Sequence, residues 1–377
     1  MSAQVTSTGF ARFGKRPESL VDLAAEAATQ ALEGVGRKPC DLLVVGNMLS
    51  GPLNGVENLV SRVANRISLE TSAGLRVEAA SATGAAAFHA GVLAVESGRY
   101  ERALVVAAEK MTDRPTPEVA AALARSLHPT EQVAGATMPA LAALVTERYV
   151  QRYSPDPSVV DRIPVEARRA SSRNPYAQFR TPVTVEEVRA SRSIAPPLCL
   201  LHCSSIADGA VAVVVESGSG AATVRGIGQA FEALPIVDRP DLTTFASSRS
   251  AADRAFSSAG ISRKEIGVIE AHDAFAPFLL IDLEDLGFAP PGGGSAWFSG
   301  RGPGPEERVP LNPSGGVLGR GHPVGASGLA AIAEVARQLR GEAGPTDTGT
   351  HPRFGIAQSV GGLASHNFVT ILGEAPG

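Results

Sequence analysis

Aromatic side chains are scarce in this chain of 377 residues, at 5% of the total with a single Trp, although 44% of the residues are hydrophobic. The apolar weight therefore lies in Ala, Val and Leu. Together with 40 Gly, these suit close packing of helices on sheets and close approach of backbone to a ligand. Cysteine is also sparse. Three thiols (Cys40, Cys199 and Cys203) cannot form a disulfide framework for a chain this long, so a reducing, cytoplasmic setting is expected. Cys199 and Cys203 could be half of a metal site, but no second Cys or His pair stands at a suitable spacing, and no metal is expected. Neither sign of charge dominates: 34 basic residues face 38 acidic ones, a net charge of −4. That balance excludes the gathered basic excess of a nucleic-acid-binding chain. No apolar run reaches the ~18 residues that span a membrane. Residues 1–14 hold no apolar core of signal-peptide length. The low hydrophobicity and high net charge of a disordered chain are missing as well.

What remains is a globular chain of about two and a half domain lengths, at ~150 residues per domain. Residues 41–46 (DLLVVG), 75–80 (LRVEAA) and 103–108 (ALVVAA) are short Val- and Leu-rich runs. Such runs predict parallel strands covered on both faces. Leu20, Leu23, Ala24, Ala27, Ala31 and Leu32 recur at helical spacing, with Gly34 at the C-cap position. Residues 83–97 form a helical pattern with no polar face, which predicts a central helix. The second half repeats the scheme. Strands are expected at 211–216, 223–228, 267–271 and 367–372, and helices at 251–259 and 327–340. Alternation of strands and helices in both halves predicts a layered, duplicated α/β fold. Residues 115–197, rich in Arg, Pro and Ser, read as an insertion over one face of the first half. Residues 292–304 read as a surface loop.

Four segments could carry chemistry. V-E-A-A-S-A-T-G at 77–84 is a strand, a tight turn and an apolar helix. Ser81 in that turn stands beside unpaired backbone N–H groups and the positive end of the helix dipole, which favour an anion. The competing reading makes Ser81 a plain N-cap. I-E-A-H-D-A-F at 269–275 sets His272 at a strand's C-terminal end, where open α/β sheets place ligand sites. N-P-S-G-G-V-L-G-R-G-H-P-V-G-A-S-G at 312–328 is Gly-rich enough to specify unusual dihedrals, and it fixes His322 before a Pro. Q-S-V-G-G-L-A-S-H at 358–366 offers Ser359, a Gly pair and His366. Nucleotide-binding Gly-rich signatures are missing.

On these residues the chain resembles the thiolase superfamily, most closely its sterol-carrier-protein type. The likeness rests on the 312–328 block, H-D-A-F at 272–275 and the strand–turn–helix at 77–84. N-P-Y-A-Q-F at 174–179, V-E-E-V-R-A-S at 185–191 and D-G-A-V-A-V-V-V at 208–215 add to it. It implies a five-layered α-β-α-β-α fold from two duplicated halves. The first half would take residues 1–114 and 201–218, a loop domain 115–200, and the second half 219–377. It also implies acyl-CoA thioester substrates, with coenzyme A as part of the substrate and no separate cofactor. The expected assembly is a homodimer, with a small OB-fold protein as a further partner in some relatives.

Carried onto this chain, the resemblance makes Ser81 the nucleophile and His322 the base that activates it and holds the substrate carbonyl. His272 organises the second oxyanion hole, and Ser359 takes the place of the α-proton shuttle. Gly321, Gly361, Gly362 and Phe275 contact substrate. Thiolases carry Cys where this chain has Ser81, and degradative thiolases carry Cys where it has Ser359. A helix N-terminus stabilises an anion by up to ~2 kcal/mol, about one and a half pKa units. That brings a thiol near ionisation at neutral pH, but not an alcohol, so Ser81 needs a positioned base. The sequence therefore predicts an atypical thiolase-type acyltransferase of lipid metabolism. A retro-aldol lyase acting on a β-hydroxyacyl-CoA without a covalent intermediate, or a non-catalytic acyl-CoA-binding subunit, are the alternatives.

Overall fold

A computed structural model describes residues 2–69, 73–299 and 309–375. The first half runs β1 (Ala3–Gly14), α1 (Leu20–Glu33), β2 (Leu42–Gly46), α2 (Leu59–Arg66), β3 (Ala73–Val77), α3 (Thr83–Glu96) and β4 (Arg102–Glu109). Next come α4 (Thr116–Ala124), α5 (Pro129–Val133), α6 (Met138–Tyr153), α7 (Pro157–Ser171) and α8 (Val185–Ala190). The short pair β5 (Ser193–Ala195) and β6 (Leu198–Cys199) leads into β7 (Asp208–Ser217). The second half holds β8 (Thr223–Phe231), α9 (Ala246–Ala259), β9 (Ile266–Glu270), α10 (Ala276–Asp285), α11 (Ala296–Ser299) and α12 (Gly316–Arg320). It closes with α13 (Val324–Leu339), β10 (Phe354–Gly361) and β11 (His366–Gly373).

The strands lie in the order β3-β2-β4-β7-β1-β8-β11-β10-β9. The first five belong to one half and the last four to the other, and the register pair Gln4–Thr223 joins them. Alternation along each strand builds the layers. Leu43, Val45, Ala210, Ala212 and Val214 face α1 and α2 in one apolar cluster. Their neighbours Leu42, Val44, Val211, Val213 and Val215 face α3 and α13 in a second, which Val268, Ala357, Phe368 and Leu372 of the other half complete. Ile269, Ile356, Val369 and Ile371 point the opposite way, toward α9 and α10. Helices α3 and α13 thus fill the middle of five layers, α-β-α-β-α. The wholly apolar pattern at 83–97 is explained, since this helix meets a sheet or a helix on its sides.

Glycine makes the close approach feasible in both halves. A Cβ on Gly9 of β1 would strike the Ala27 carbonyl of α1, and one on Gly228 of β8 would strike the Ala251 carbonyl of α9. Between the central helices, a Cβ on Gly84 would lie 2.6 Å from the Leu329 nitrogen.

The structure corrects several expectations. Strand β2 does pair in parallel with β3 and β4, but β7 runs antiparallel to β4 and to β1, so the sheet is mixed. The strand expected at 75–80 is Ala73–Val77, because Glu78 and Thr83 bind the 79–80 backbone into a turn. Gly34 is the C-cap of α1 as expected, with right-handed dihedrals, and the left-handed residue that follows is Gly36. Gly34 is required because a Cβ there would collide with Ser7. Strands β1 and β10 were not foreseen, since Ser, Thr and Gly dilute their apolar residues. The insertion is helical, and it sits mainly on the second half: Leu141, Val145, Tyr149, Val159 and Ile163 join the cluster of α9 and α10. Beyond Ser299, the loop expected at 292–304 lies outside the described residues.

Candidate active site

The turn before α3 is held in an uncommon conformation. Ala80 adopts φ +49°, in the left-handed region, where a residue with a Cβ pays about 1–2 kcal/mol. Three hydrogen bonds hold it there. Glu78 Oε1 accepts the Ala80 N–H at 2.6 Å, Thr83 Oγ1 donates to the Ala80 carbonyl at 2.6 Å, and Thr83 Oγ1 accepts the Ala79 N–H at 2.8 Å. Ser81 comes next. It is not an N-cap: Ala82 holds that position, with no side-chain capping bond. Among the described residues, the Ser81 hydroxyl makes no hydrogen bond, and it faces a cavity of about 390 Å³.

His322 reaches the same cavity from the entrance of α13. The Gly-rich block around it takes the unusual dihedrals expected, with φ of +99° at Gly315, +59° at Gly316 and +97° at Gly321. N-P-Y-A-Q-F packs along this block: Asn174 Nδ2 donates to the Ser314 carbonyl (2.9 Å) and the Gln178 N–H to the Arg320 carbonyl (2.9 Å). Asp273, from H-D-A-F, accepts the Val317 N–H in α12. His322 Nδ1 lies 2.8 Å from Ser327 Oγ, which itself donates to the Pro323 carbonyl at 3.1 Å. With its proton so committed, Ser327 accepts from Nδ1–H, and Nε2 carries the lone pair. Burial, aided by the Arg320 guanidinium, pushes His322 down to about 3, so the ring is neutral at physiological pH.

The His272 ring stands 5.3 Å from that of His322, centroid to centroid, at 72°. Burial first, then His322 and Arg320, hold it well below its ordinary value, so it is neutral too. Its backbone N–H donates to Gln358 Oε1 at 3.3 Å, and Gln358 is fixed from beneath by Asp282 at 2.6 Å. Glu109 props the floor. It is fully buried and accepts from Asn47 Nδ2, Leu49 N–H, Met48 N–H and Gly325 N–H at 2.8–3.1 Å. Those bonds tie β4 to the loop bearing Met48 and to the first turn of α13.

One cavity thus gathers Ser81, His272, His322, Phe275 and Gly362. It does not gather the rest of the expected set. Ser359 is buried beside Gly328 and Ala85, behind the wall, and its hydroxyl has no partner among the described residues. Gly361 lies against the Ala79 carbonyl, where a Cβ would come within 2.6 Å, and so lets β10 approach the Ser81 turn. Gly321 lies under Gln178. Sequence reasoning missed Thr83, Glu109, Ser327 and the cavity-lining Cys203. Of these, Ser327 stood inside the quoted block, and Glu109 could have been found as a lone carboxylate ending an apolar strand. Burial pushes the Cys203 thiol up to about 12, so it stays protonated. The opposite wall comes from the insertion, with Thr116, Ala120, Leu123, Thr137 and Met138. Among the described residues, no group of three His, Cys, Asp or Glu is placed to hold a metal ion, and no helix is long and apolar enough to cross a membrane.

The chain is similar to known proteins along its whole length. The thiolase N-terminal domain model matches residues 1–219, and the thiolase C-terminal domain-like model matches residues 228–374. The chain is 36% identical over 365 residues to an acetyl-CoA acetyltransferase of Methanothermobacter thermautotrophicus, covering 94% of each. It is 30% identical over 369 residues to the benzoylsuccinyl-CoA thiolase subunit BbsB of Thauera aromatica, covering 95% of this chain and 94% of that one. Sterol carrier protein 2 of Gallus gallus is 27% identical over 92% of this chain and 67% of its own length. Among solved structures, the Ltp2-ChsH2(DUF35) aldolase superposes with a TM-score of 0.82 at 24% identity, over 99% of this chain and 98% of that one. In sequence and in fold, this chain belongs to the thiolase family.

Proposed function

We propose that the protein is a thiolase-type acyltransferase that makes or breaks a C–C bond next to the carbonyl of an acyl-CoA thioester. The observation that carries this reading is the convergence of Ser81, His272 and His322 on one largely apolar cavity walled by the insertion. His322 Nε2, unprotonated and facing that cavity, is the base. It takes the Ser81 proton as the hydroxyl oxygen attacks the acyl carbonyl, and the Nε2–H so formed donates to the oxyanion. The oxyanion then collapses to the Ser81 ester as the C–S bond (or, in the cleavage direction, the C–C bond) breaks, and the thiolate or enolate that leaves recovers the proton from Nε2. His272 supplies the second donor, for the enolate of the incoming or departing acyl unit. Preorganised donors in a site shut off from water stabilise such charge far more than solvent does. The wall of α4 and α6 holds the acyl chain beside Phe275. Ser359, which the resemblance places at the α-proton shuttle, lies behind the wall and does not line the cavity.

A second reading, retro-aldol cleavage of a β-hydroxyacyl-CoA, is favoured by one observation. A base whose pKa is held at about 3 is a weak partner for an alcohol, and Ser81 makes no hydrogen bond to it. Cleavage through a hydrogen-bonded enolate needs no covalent step and loses nothing when Cys is replaced by Ser. The two readings separate on intact mass. The protein, alone and with candidate partner proteins, is incubated with a panel of acyl-CoA and β-hydroxyacyl-CoA thioesters, beside Ser81→Ala. An acyl adduct that disappears in Ser81→Ala is the expected result. Turnover without an adduct that survives in Ser81→Ala establishes the lyase. Neither adduct nor turnover leaves an acyl-CoA-binding subunit.

The assembly proposed is a homodimer in a reducing cytoplasm. Strand β3 is the outer strand of the first half, it is exposed along Ala73–Arg76, and its free edge can pair with the same strand of a second copy. Leu75 and Leu93 (38% and 54% exposed) supply apolar surface from β3 and α3. Light scattering is expected to give twice the chain mass, and Leu75→Lys to reduce it to one. A small OB-fold partner is proposed as well, on the likeness to BbsB, which is itself named as a subunit.

A further inference from the structure

One group of side chains outside the catalytic set has the order of a nucleophile relay. Cys199, at the end of β6, places its Sγ 3.2 Å from His202 Nδ1, and His202 Nε2 lies 3.1 Å from Asp161 Oδ1 on α7. Arg189 of α8 holds the other Asp161 oxygen at 2.7 Å. A carboxylate can only accept, so it fixes the proton on Nε2 and leaves the Nδ1 lone pair directed at the thiol. Burial outweighs the pull of Asp161 and lowers the pKa of His202, which leaves the ring neutral and free to take a proton. Acid, imidazole and nucleophile stand in the sequence that activates Ser and Cys elsewhere.

A cap alone explains part of this. The Cys199 N–H donates to Nδ1 at 3.3 Å, and the thiol also reaches the Val188 carbonyl at 3.4 Å. A cap does not require Asp161, nor the cavity of about 350 Å³ that His202 and Asp161 line together with Glu147 and Leu198. That cavity is separate from the catalytic one. Cys199 is half-buried, between the two: Leu198 before it in sequence lines this cavity, and Leu200 after it lines the catalytic one.

We propose that Cys199 is a site of covalent modification by small electrophiles, peroxides foremost, with His202 as its base and Asp161 as the residue that positions His202. With hydrogen peroxide, His202 takes the Sγ proton and the thiolate attacks one peroxide oxygen. The O–O bond breaks, and the departing hydroxide recovers the proton from His202 as water. Cys199 is oxidised to the sulfenic acid, the peroxide is reduced, and no other reactant enters. The modified sulfur then sits in the segment that walls the catalytic cavity. Asp161, Arg189, Glu147 and Cys203 are the ionisable groups around the pair, and they set its pH dependence.

The test uses the full chain and a peptide of residues 193–206, with dimedone trapping after hydrogen peroxide and iodoacetamide alkylation across pH 5–9, read by peptide mass spectrometry. Cys199 in the protein is expected to react at least about tenfold faster than Cys199 in the peptide at pH 6.5, because only the folded chain holds His202 Nδ1 3.2 Å from Sγ, placed to take the proton as the sulfur attacks. His202→Gln is expected to lose that advantage, and Asp161→Asn to lose part of it. A rate equal to or below the peptide's overturns the proposal without any variant. So does a His202→Gln protein with unchanged circular dichroism and unchanged reactivity.

Discussion

His322→Ala is expected to lower kcat/KM toward any acyl-CoA that the protein turns over by about 1,000-fold or more, about 4 kcal/mol of transition-state stabilisation. Two losses add. Removing one oxyanion donor typically costs ~10²–10³ in rate. Removing a general base costs a further ~10²–10⁴, and the two overlap because one ring does both. The fold should survive, since the ring makes one side-chain hydrogen bond, to Ser327, and its removal enlarges a cavity that is already present rather than opening a new void in the core. Circular dichroism and thermal melting of the variant check that point. The pH dependence gives an independent readout. His322 is held at about 3, below the ordinary imidazole range, so its base form is complete above about pH 4 and is lost only as pH falls through 3. The rate should therefore show no acid limb near 6.5 from this residue. A His322→Ala protein that keeps its rate within threefold, or an acid limb near 6.5 that vanishes in that variant, would falsify the role given to Nε2.

Much of this layout could be read from residue order alone. Apolar runs located most of the strands to within two or three residues, because a strand buried on both faces has no choice but to be apolar. The almost wholly apolar character of 83–97 correctly placed α3 at the centre. The Gly-rich block announced its dihedrals, and Gly315, Gly316 and Gly321 take them. Three kinds of information were not legible. Long-range hydrogen bonds leave no local pattern, so Glu109, which meets Gly325 more than two hundred residues away, looked like an ordinary strand end. The face on which the insertion docks depends on tertiary packing as well, since Leu141, Val145 and Ile163 would suit either half. Side-chain direction was the third limit. Ser359 and Val360 are neighbours on β10, and the pleat turns Val360 toward the cavity and Ser359 behind it. Its position in the motif could not reveal which way it faces.

The D-G-A-V-A-V-V-V motif owes its acidic residue to folding, which gives the largest stability effect expected here. Asp208, fully buried at the start of β7, takes five donors on two oxygens. Oδ1 accepts the Met111 and Thr112 N–H groups at 2.7 and 2.8 Å, and Oδ2 accepts the Arg16 N–H, Lys110 Nζ and Thr112 Oγ1 at 3.0, 2.8 and 2.6 Å. Burial works to raise its pKa, but the bonds from Lys110, Thr112 and Met111 outweigh it and hold the carboxyl below its ordinary 3.8. In Asp208→Asn the amide must point its own N–H groups at one of these two sets of donors, and the buried Lys110 loses its buried charged partner, keeping only the exposed Asp113. Breaking a buried pair from one side costs about 3–5 kcal/mol. That is a large share of the ~5–15 kcal/mol by which folded domains are stable. The melting temperature is expected to fall by about 5 °C, at ~2.1 cal/mol/K of unfolding entropy per residue. Because the folded pKa is depressed, the carboxylate's contribution is complete above 3.8 and is lost as pH falls through the lower folded value. The gap between wild type and variant should therefore be constant from pH 5 to 8 and close only below 3.8. Denaturant melts at pH 3 and pH 7 measure this, and an equal gap at both would sink the assignment. The segment that Asp208 anchors leads into α4, whose Thr116, Ala120 and Leu123 line the catalytic cavity. Acyl-CoA binding in Asp208→Asn should accordingly weaken at temperatures where circular dichroism still reads a folded chain, since the carboxylate that orders the β4–α4 connection also orders the wall proposed to hold the acyl group.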